Sequence, residues 1–298
     1  MKHQISIGSW AFIFGPFEKN PWDFAKVLQW TKEAGYDGIE ISGFRPHPHH
    51  DDYDTPEKCW ELAELVSSYG LGISGYAPDL MQVPPAEVST EQYMSVFHRS
   101  LQFCRRCGIG TIRVDTVSPP DVLSHVEYER RFTRLTATWR AASLAAEQAG
   151  VRFVWEFEPG FWLNKPSEVK HLIEAVNHPN FQILFDPSHA YMGAVVGARQ
   201  TGEKEILPGG VVEYAQLLAP YIGHFHLIDS DGTLHGEETS THTPFGEGHI
   251  DFKQLMRSIR PVISKLPWWG VDYCFHAGVE QDGRKAVPFI RDLIKEVF

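Results

Sequence analysis

Basic residues, cysteines and long apolar runs are all scarce in this chain, and each scarcity excludes a class of function. Lys and Arg total 27 against 38 Asp and Glu, a formal net charge of −11. That balance opposes the phosphate contacts that release counterions when a protein binds nucleic acid, so no nucleic-acid partner is expected. Four cysteines are too few for a disulfide framework in 298 residues. Cys104 and Cys107 form a C-x2-C pair, but no second pair completes a zinc site. They also lie within the helical pattern SVFHRSLQFCRRCG, so they read as structural thiols suited to the reducing cytosol. Charge, Gly or Pro interrupts every apolar stretch well short of the roughly 18 residues that span a bilayer. The first eight residues run straight into a strand-like stretch, with no charged start, apolar core and small-residue cleavage site. A soluble, cytoplasmic protein without a membrane partner is expected. Neither G-x-G-x-x-G nor a P-loop opens a helix, which leaves dinucleotide and triphosphate cofactors without support.

What the chain does contain is a regular alternation. Short apolar runs at 5–10, 38–42, 71–76, 111–116, 151–158, 181–186, 223–229 and 270–275 read as strands. Amphipathic helical patterns fall at 22–34, 56–69, 89–107, 127–149, 166–176, 209–218, 251–264 and 284–297. No Pro-rich linker or shift in composition divides them. Eight alternations predict an α/β fold in one domain over residues 1–298, a (β/α)8 TIM barrel, for which roughly 250 residues plus insertions is an ordinary length. An open, doubly wound sheet is the alternative.

In such a barrel the C-terminal ends of the strands form the active face, and side chains alternate inward and outward along each strand. In HFHLID, Phe225 and Leu227 point to the helices, so His224 and His226 point inward, with His226 nearer the mouth and His224 a layer deeper as a core residue. The same parity turns Glu156 and Glu158 inward in VRFVWEFE, Asp186 in FQILFD with His189 just beyond, and Asp272 in GVDYCFH with Cys274 and His276 in the same phase. Carboxylates gathered in a low-dielectric site at neutral pH require a cation or shared protons. A divalent metal bound by three carboxylates and one imidazole, with positions left open, suits Mn, Mg, Co or Zn. The metal-free alternative pairs the acids with Arg113 and Arg152.

Taken together, GSW, GYDGIEIS, VRFVWEFEPG, ILFDPSHA, GHFHLIDS and PFGEGHIDF resemble the sugar phosphate isomerase/epimerase family, whose xylose isomerase-like TIM barrel is shared with endonuclease IV. The resemblance spans nearly the whole chain. It implies one divalent metal ion, Mn first, held by Glu156, Asp186, His226 and Asp272, and a substrate contact from His189. Two departures stand out. The family usually carries Glu where this chain has Asp272, and the extra ligands of the nuclease branch are lacking, since Ser240 replaces an acid before His242 and strand three, LGISGYAPD, has no histidine.

The implied chemistry is proton transfer next to a carbonyl through an enediolate, with Glu156 and Asp272 as the acid–base pair, giving epimerisation or aldose–ketose isomerisation. Expulsion of a leaving group from the same intermediate would make a dehydratase or lyase acting on a keto-inositol or 3-keto-glycoside. A non-catalytic carbohydrate-binding barrel is a further alternative. Trp10 and Phe12 after strand one, and Phe161 and Trp162 after strand five, offer aromatic faces to a sugar ring. Trp10, Trp162, Glu158, His189 and His242 are the expected substrate-binding residues. The histidines of RPHPHHDDYD, His47, His49 and His50, read as a solvated loop. The expected partner is a small unphosphorylated sugar, cyclitol or keto-glycoside; assembly into a homo-oligomer is compatible with the sequence.

Overall fold

The computed structural model describes residues 3–236 and 238–298. The barrel strands are β1 (Gln4–Gly8), β2 (Gly38–Ser42), β3 (Gly72–Ala77), β4 (Thr111–Val114), β5 (Arg152–Glu156), β6 (Phe181–Phe185), β7 (Ile222–Leu227) and β10 (Trp268–Val271); β8 (Leu234–His235) and β9 (Thr239–Ser240) form a small antiparallel hairpin above them. The eight parallel strands close in the order β1-β10-β7-β6-β5-β4-β3-β2, which rules out the open sheet. Every residue of β2 and β7 is buried, because helices cover the outer face and side chains fill the inner one.

Helices α1 (Phe24–Glu33), α2 (Pro56–Ser68), α3 (Thr90–Arg106), α4 (His125–Gln148), α5 (Pro166–Val176) and α7 (Gly210–Leu218) match the predicted segments to within two residues. Their starts are set by local chemistry. Asp23, Thr55 and Ser124 each accept a backbone N–H at a helix N-terminus, and Ser89 with Gln92 forms a capping box. The predicted helix at 251–264 is two pieces, α8 (Phe252–Ser258) and α9 (Arg260–Ile263), because Pro261 lacks the N–H that would continue the ladder. The last helix, α10 (Val279–Val297), starts five residues before its predicted position.

The outward side chains make the core. Trp139 of α4 packs against Phe153, Trp155 and Phe181, with ring centroids 6.2, 5.5 and 5.4 Å away. Inside, Trp268 plugs the bottom of the barrel and leaves no space for a Cβ at Gly38 or Gly72, which would lie 2.6 and 2.8 Å from its ring. The polar end of the barrel is therefore the mouth. The final barrel strand stops at Val271 rather than 275, and the chain turns at Phe275, where φ is 64°. Parity holds as far as Cys274, which lines the cavity at the mouth with Asp272, but not at His276, which bonds Asp282 at 2.9 Å. The histidines of the loop after β2 are buried, not solvated. His47 has Ser9 Oγ at 3.0 Å and the Trp22 carbonyl at 3.1 Å, and His50 has the Tyr76 hydroxyl at 3.2 Å, so polar partners offset their burial. All four cysteines are free. Among the described residues no helix is long and apolar enough to cross a membrane.

Candidate metal centre and active site

Four strand ends deliver one donor atom each to the same point at the mouth. Glu156 is the last residue of β5, His226 lies in β7, and Asp186 and Asp272 are the first residues beyond β6 and β10. Asp186 also caps α6 (Pro187–Tyr191): its Oδ1 accepts from the backbone N–H of Ser188 at 2.7 Å and His189 at 3.2 Å, which turns Oδ2 into the barrel. Asp272 Oδ1 accepts from the Trp10 indole at 2.7 Å and the Cys274 N–H at 2.8 Å, leaving Oδ2 free. His226 Nδ1 then lies 3.0 Å from Glu156 Oε1 and 4.0 Å from both Asp186 Oδ2 and Asp272 Oδ2. All four donors are buried and within 4.8 Å of one another, a spacing that a cation with ligands at about 2.0–2.2 Å can bridge. Gly270 is required here, since a Cβ would come 2.7 Å from the His226 ring.

The charges at this point do not cancel. Arg113 of β4 approaches Glu156 Oε2 at 2.5 Å and Glu158 Oε1 at 2.7 Å, so one half of the metal-free alternative is present. Arg152 takes no part, because it donates to the Gly223 carbonyl. Asp186 Oδ2 is buried with no hydrogen-bond partner. Burial pushes the Asp186 carboxyl well above the usual carboxylate range, and the neighbouring Glu156 and Asp272 add to the effect. Burial acts on Glu156 in the same direction, but Arg113 and His226 outweigh it and hold this acid down at about 2. One acid is thus held ionised beside another that cannot easily ionise. An orphaned buried carboxylate oxygen among three such donors and an imidazole fits a divalent cation.

A further carboxylate sets the histidine. Glu40 of β2 is fully buried, and its Oε2 lies 2.9 Å from His224 Nε2 and 3.2 Å from His226 Nε2. His226 donating Nε2–H to Glu40 directs Nδ1 at the three acids, the arrangement by which an outer carboxylate orients an imidazole toward a cation. Burial disfavours the imidazolium of His226, yet Glu40 and Glu156 hold its pKa well above the ordinary value. Sequence reasoning missed Glu40, although in GIEIS the outward Ile39 and Ile41 leave it facing inward.

Above the four donors opens a cavity of about 450 Å³, lined by Trp10, Arg113, Asp115, Glu158, His189, His242 and Asp272 among others. His189 Nδ1 is 2.8 Å from Ser240 Oγ, and its Nε2 faces Glu158 at 3.9 Å and Glu156 at 4.0 Å. Glu158 accepts from Arg113 and from the Thr239 hydroxyl, and burial raises its pKa to about 7. His242 Nδ1 stands 3.4 Å from Asp272 Oδ1, and neither ring nitrogen makes a hydrogen bond. Trp162 does not reach the cavity: it packs edge-on to Tyr128, and the neighbouring Phe161 lines the wall instead. Phe12 is likewise in the core, against Trp22 and Trp30. Asp115 is a second residue that sequence reasoning missed, although in TIRVDT it follows Arg113 by two; burial pushes its carboxyl up to about 7.

This barrel with polar strand ends is that of the xylose isomerase-like TIM barrel family, to which the chain belongs, the family profile matching residues 28–262. It is similar to fructoselysine 3-epimerase of Escherichia coli O157:H7, 24% identical over 243 residues that cover 77% of this chain and 78% of the relative. Its fold is shared by D-psicose 3-epimerase from Clostridium cellulolyticum H10, solved with D-tagatose, at a TM-score of 0.74 and 14% identity over 98% of this chain and 99% of that one. The zinc-bound IOLI protein gives a TM-score of 0.70 and 15% identity over 99% of each chain.

Proposed function

We propose that this protein is a divalent-metal-dependent epimerase or isomerase of a keto sugar or related polyol, acting as one barrel domain in the cytoplasm. The carrying observation is the convergence of Glu156, Asp186, His226 and Asp272, with the Asp186 oxygen left unpartnered. The sugar-epimerase relative supports the substrate class. These four residues would hold the cation, for which the three carboxylates and one imidazole suit Mn first, with Mg, Co or Zn as alternatives. When bound, it supplies the Lewis acidity that makes a C–H beside a carbonyl acidic.

The chain's own groups do the rest. Glu156 and Asp272, from β5 and the end of β10, serve as the pair that removes and returns the carbon-bound proton. Trp10 holds Asp272 in place through its indole N–H. His189, with Nδ1 tied to Ser240, presents Nε2 to a substrate hydroxyl, and Arg113 with Glu158 offers donors and acceptors further out. Trp10 and His242 complete the polar wall.

The test is proton exchange. Mn-loaded protein incubated with keto sugars in deuterated solvent is expected to wash deuterium into one carbon or move the proton between neighbouring carbons. Asp272→Asn is expected to lower that rate about 10²- to 10⁴-fold with a smaller loss of metal, because an amide oxygen coordinates but accepts no proton. Full exchange by the variant would remove Asp272 from the role. An unsaturated product would assign a lyase, and ligand binding without any turnover a carbohydrate-binding barrel.

A further inference from the structure

The polar site accounts for only part of the cavity, whose wall also takes Arg199 and Glu238 from the loops. Around its mouth stand six apolar side chains from six different strand-to-helix connections: Phe14 after β1, Phe44 after β2, Met81 after β3, Val117 after β4, Phe161 after β5 and Phe275 after β10. Met81 is 46% exposed, and the other five are half-buried. Phe14 links the ring, with centroids 5.2 Å from Phe44 and 5.9 Å from Phe275. Single exposed apolar residues are ordinary, but a collar of them around a concave site marks a surface waiting for apolar contact.

The backbone carries an independent sign. Val117 and Phe275 have φ of 62° and 64°, two of the five described non-glycine residues in the left-handed region. A β-branched and an aromatic residue are poorly suited to that region, and glycine would adopt it freely. Side chains kept at a rim against the preference of their backbone cluster at ligand clamps. A free monosaccharide presents hydroxyls that Arg113, Glu158 and His189 can satisfy, but it has nothing to fill the collar.

We infer that the collar binds an aromatic substituent carried by the sugar, so that the substrate class is a keto sugar bearing an apolar aglycone rather than a free ketose. This rests on the keto-sugar reading above for the identity of the sugar end, while the collar itself is tested separately. The probes are methyl β-D-glucopyranoside and phenyl β-D-glucopyranoside, titrated calorimetrically into Mn-loaded protein. The phenyl compound is expected to bind about tenfold tighter or more, the scale of discrimination that small apolar groups give in an apolar pocket. In the double variant Phe44→Ser with Phe161→Ser that ratio should fall toward one at unchanged metal content. Val117→Gly should lower the ratio while holding the melting temperature, because glycine relieves the backbone. Equal affinities in the wild type, binding of neither probe, or a ratio unmoved by the double variant would overturn the collar. A phenyl preference in a protein that exchanges no carbon-bound proton supports the collar and overturns the epimerase reading; exchange without the preference does the reverse.

Discussion

Replacing Glu40 with glutamine preserves shape and removes one buried charge, and its effect on the proposed metal centre follows from two distances. Glu40 Oε2 is 2.9 Å from His224 Nε2 and 3.2 Å from His226 Nε2. Burial opposes ionisation of this acid, but the two imidazoles outweigh it and hold the carboxyl far below its usual range, so it is ionised. Without a cation, both ring nitrogens of His226 face carboxylate oxygens, Nδ1 toward Glu156 at 3.0 Å and Nε2 toward Glu40, and both carry protons. Below the raised pKa of His226 the proton on Nδ1 competes with a metal ion, so cation affinity should strengthen as pH rises. Glutamine can accept the Nε2–H through its amide oxygen but supplies no countercharge and can present an N–H in the wrong direction. Loss of such an outer partner costs about 10- to 100-fold in metal affinity, or about 1.4–2.7 kcal/mol. His224→Gln should cost less, because His224 touches Glu40 and none of the three acids at the centre. Competition of each variant with a chelating dye for Mn, at several pH values, measures both effects. If Glu40→Gln binds Mn as tightly as wild type, or less tightly than wild type by no more than His224→Gln does, Glu40 does not orient His226.

Asp186→Ala should abolish the proposed binding of one divalent cation per chain, read by elemental analysis after dialysis; metal equal to wild type would move the site elsewhere. Asp115 is raised mainly by burial from 3.8 to about 7, so its ionisation costs stability progressively as pH rises from 3.8, and the cost is complete above about 7. Asp115→Asn cannot ionise and should gain on wild type in urea unfolding between about pH 5 and pH 8, whereas a constant difference would mean that Asp115 is ionised throughout. Trp139→Ala empties the packing between α4, β5 and β6 and should cost about 3–5 kcal/mol in the same assay, with a loss under about 1 kcal/mol ruling out tight packing there.

The period-two alternation of strand side chains is what makes the candidate metal centre legible in the amino-acid sequence. It turns Glu156, His226, Asp186 and Asp272 toward one axis because each lies within a barrel strand or one residue past its end. Applied to GIEIS and TIRVDT, the same alternation finds Glu40 and Asp115, whose positions are as legible as that of Glu156. It fails where the chain turns. Cys274 keeps the phase of Asp272 and lines the cavity, but the left-handed turn at Phe275 takes His276 out of it, to Asp282. Loop residues have no such period to begin with. Trp162 and His47 are both polar-capable rings in Pro-containing loops, and their burial depends on partners remote in sequence, Tyr128 for one and Ser9 with Trp22 for the other.

Asp272 is held so that only one of its two oxygens is free. An aspartate at this position reaches one methylene less far than a glutamate would, so its carboxylate must be carried closer to the centre by the backbone. Here β10 ends at Val271, and the Cys274 N–H folds back onto Asp272 Oδ1 at 2.8 Å in a tight local turn. The Trp10 indole takes the same oxygen at 2.7 Å from beyond the end of β1, the neighbour of β10 in the barrel. With Oδ1 held by two donors, the carboxylate has little rotational freedom, and Oδ2 faces His226 Nδ1 at 4.0 Å. A longer, freer glutamate could offer one oxygen to a cation and swing the other to a substrate carbon. Under the function proposed above the two tasks would fall on a single oxygen, or the proton-transfer task would pass to Glu158, whose pKa of about 7 suits a group that must both take and return a proton near neutrality. Asp272→Asn and Glu158→Gln, compared by deuterium exchange at equal metal loading, separate the two: the base is the residue whose amide variant loses exchange while the other retains it.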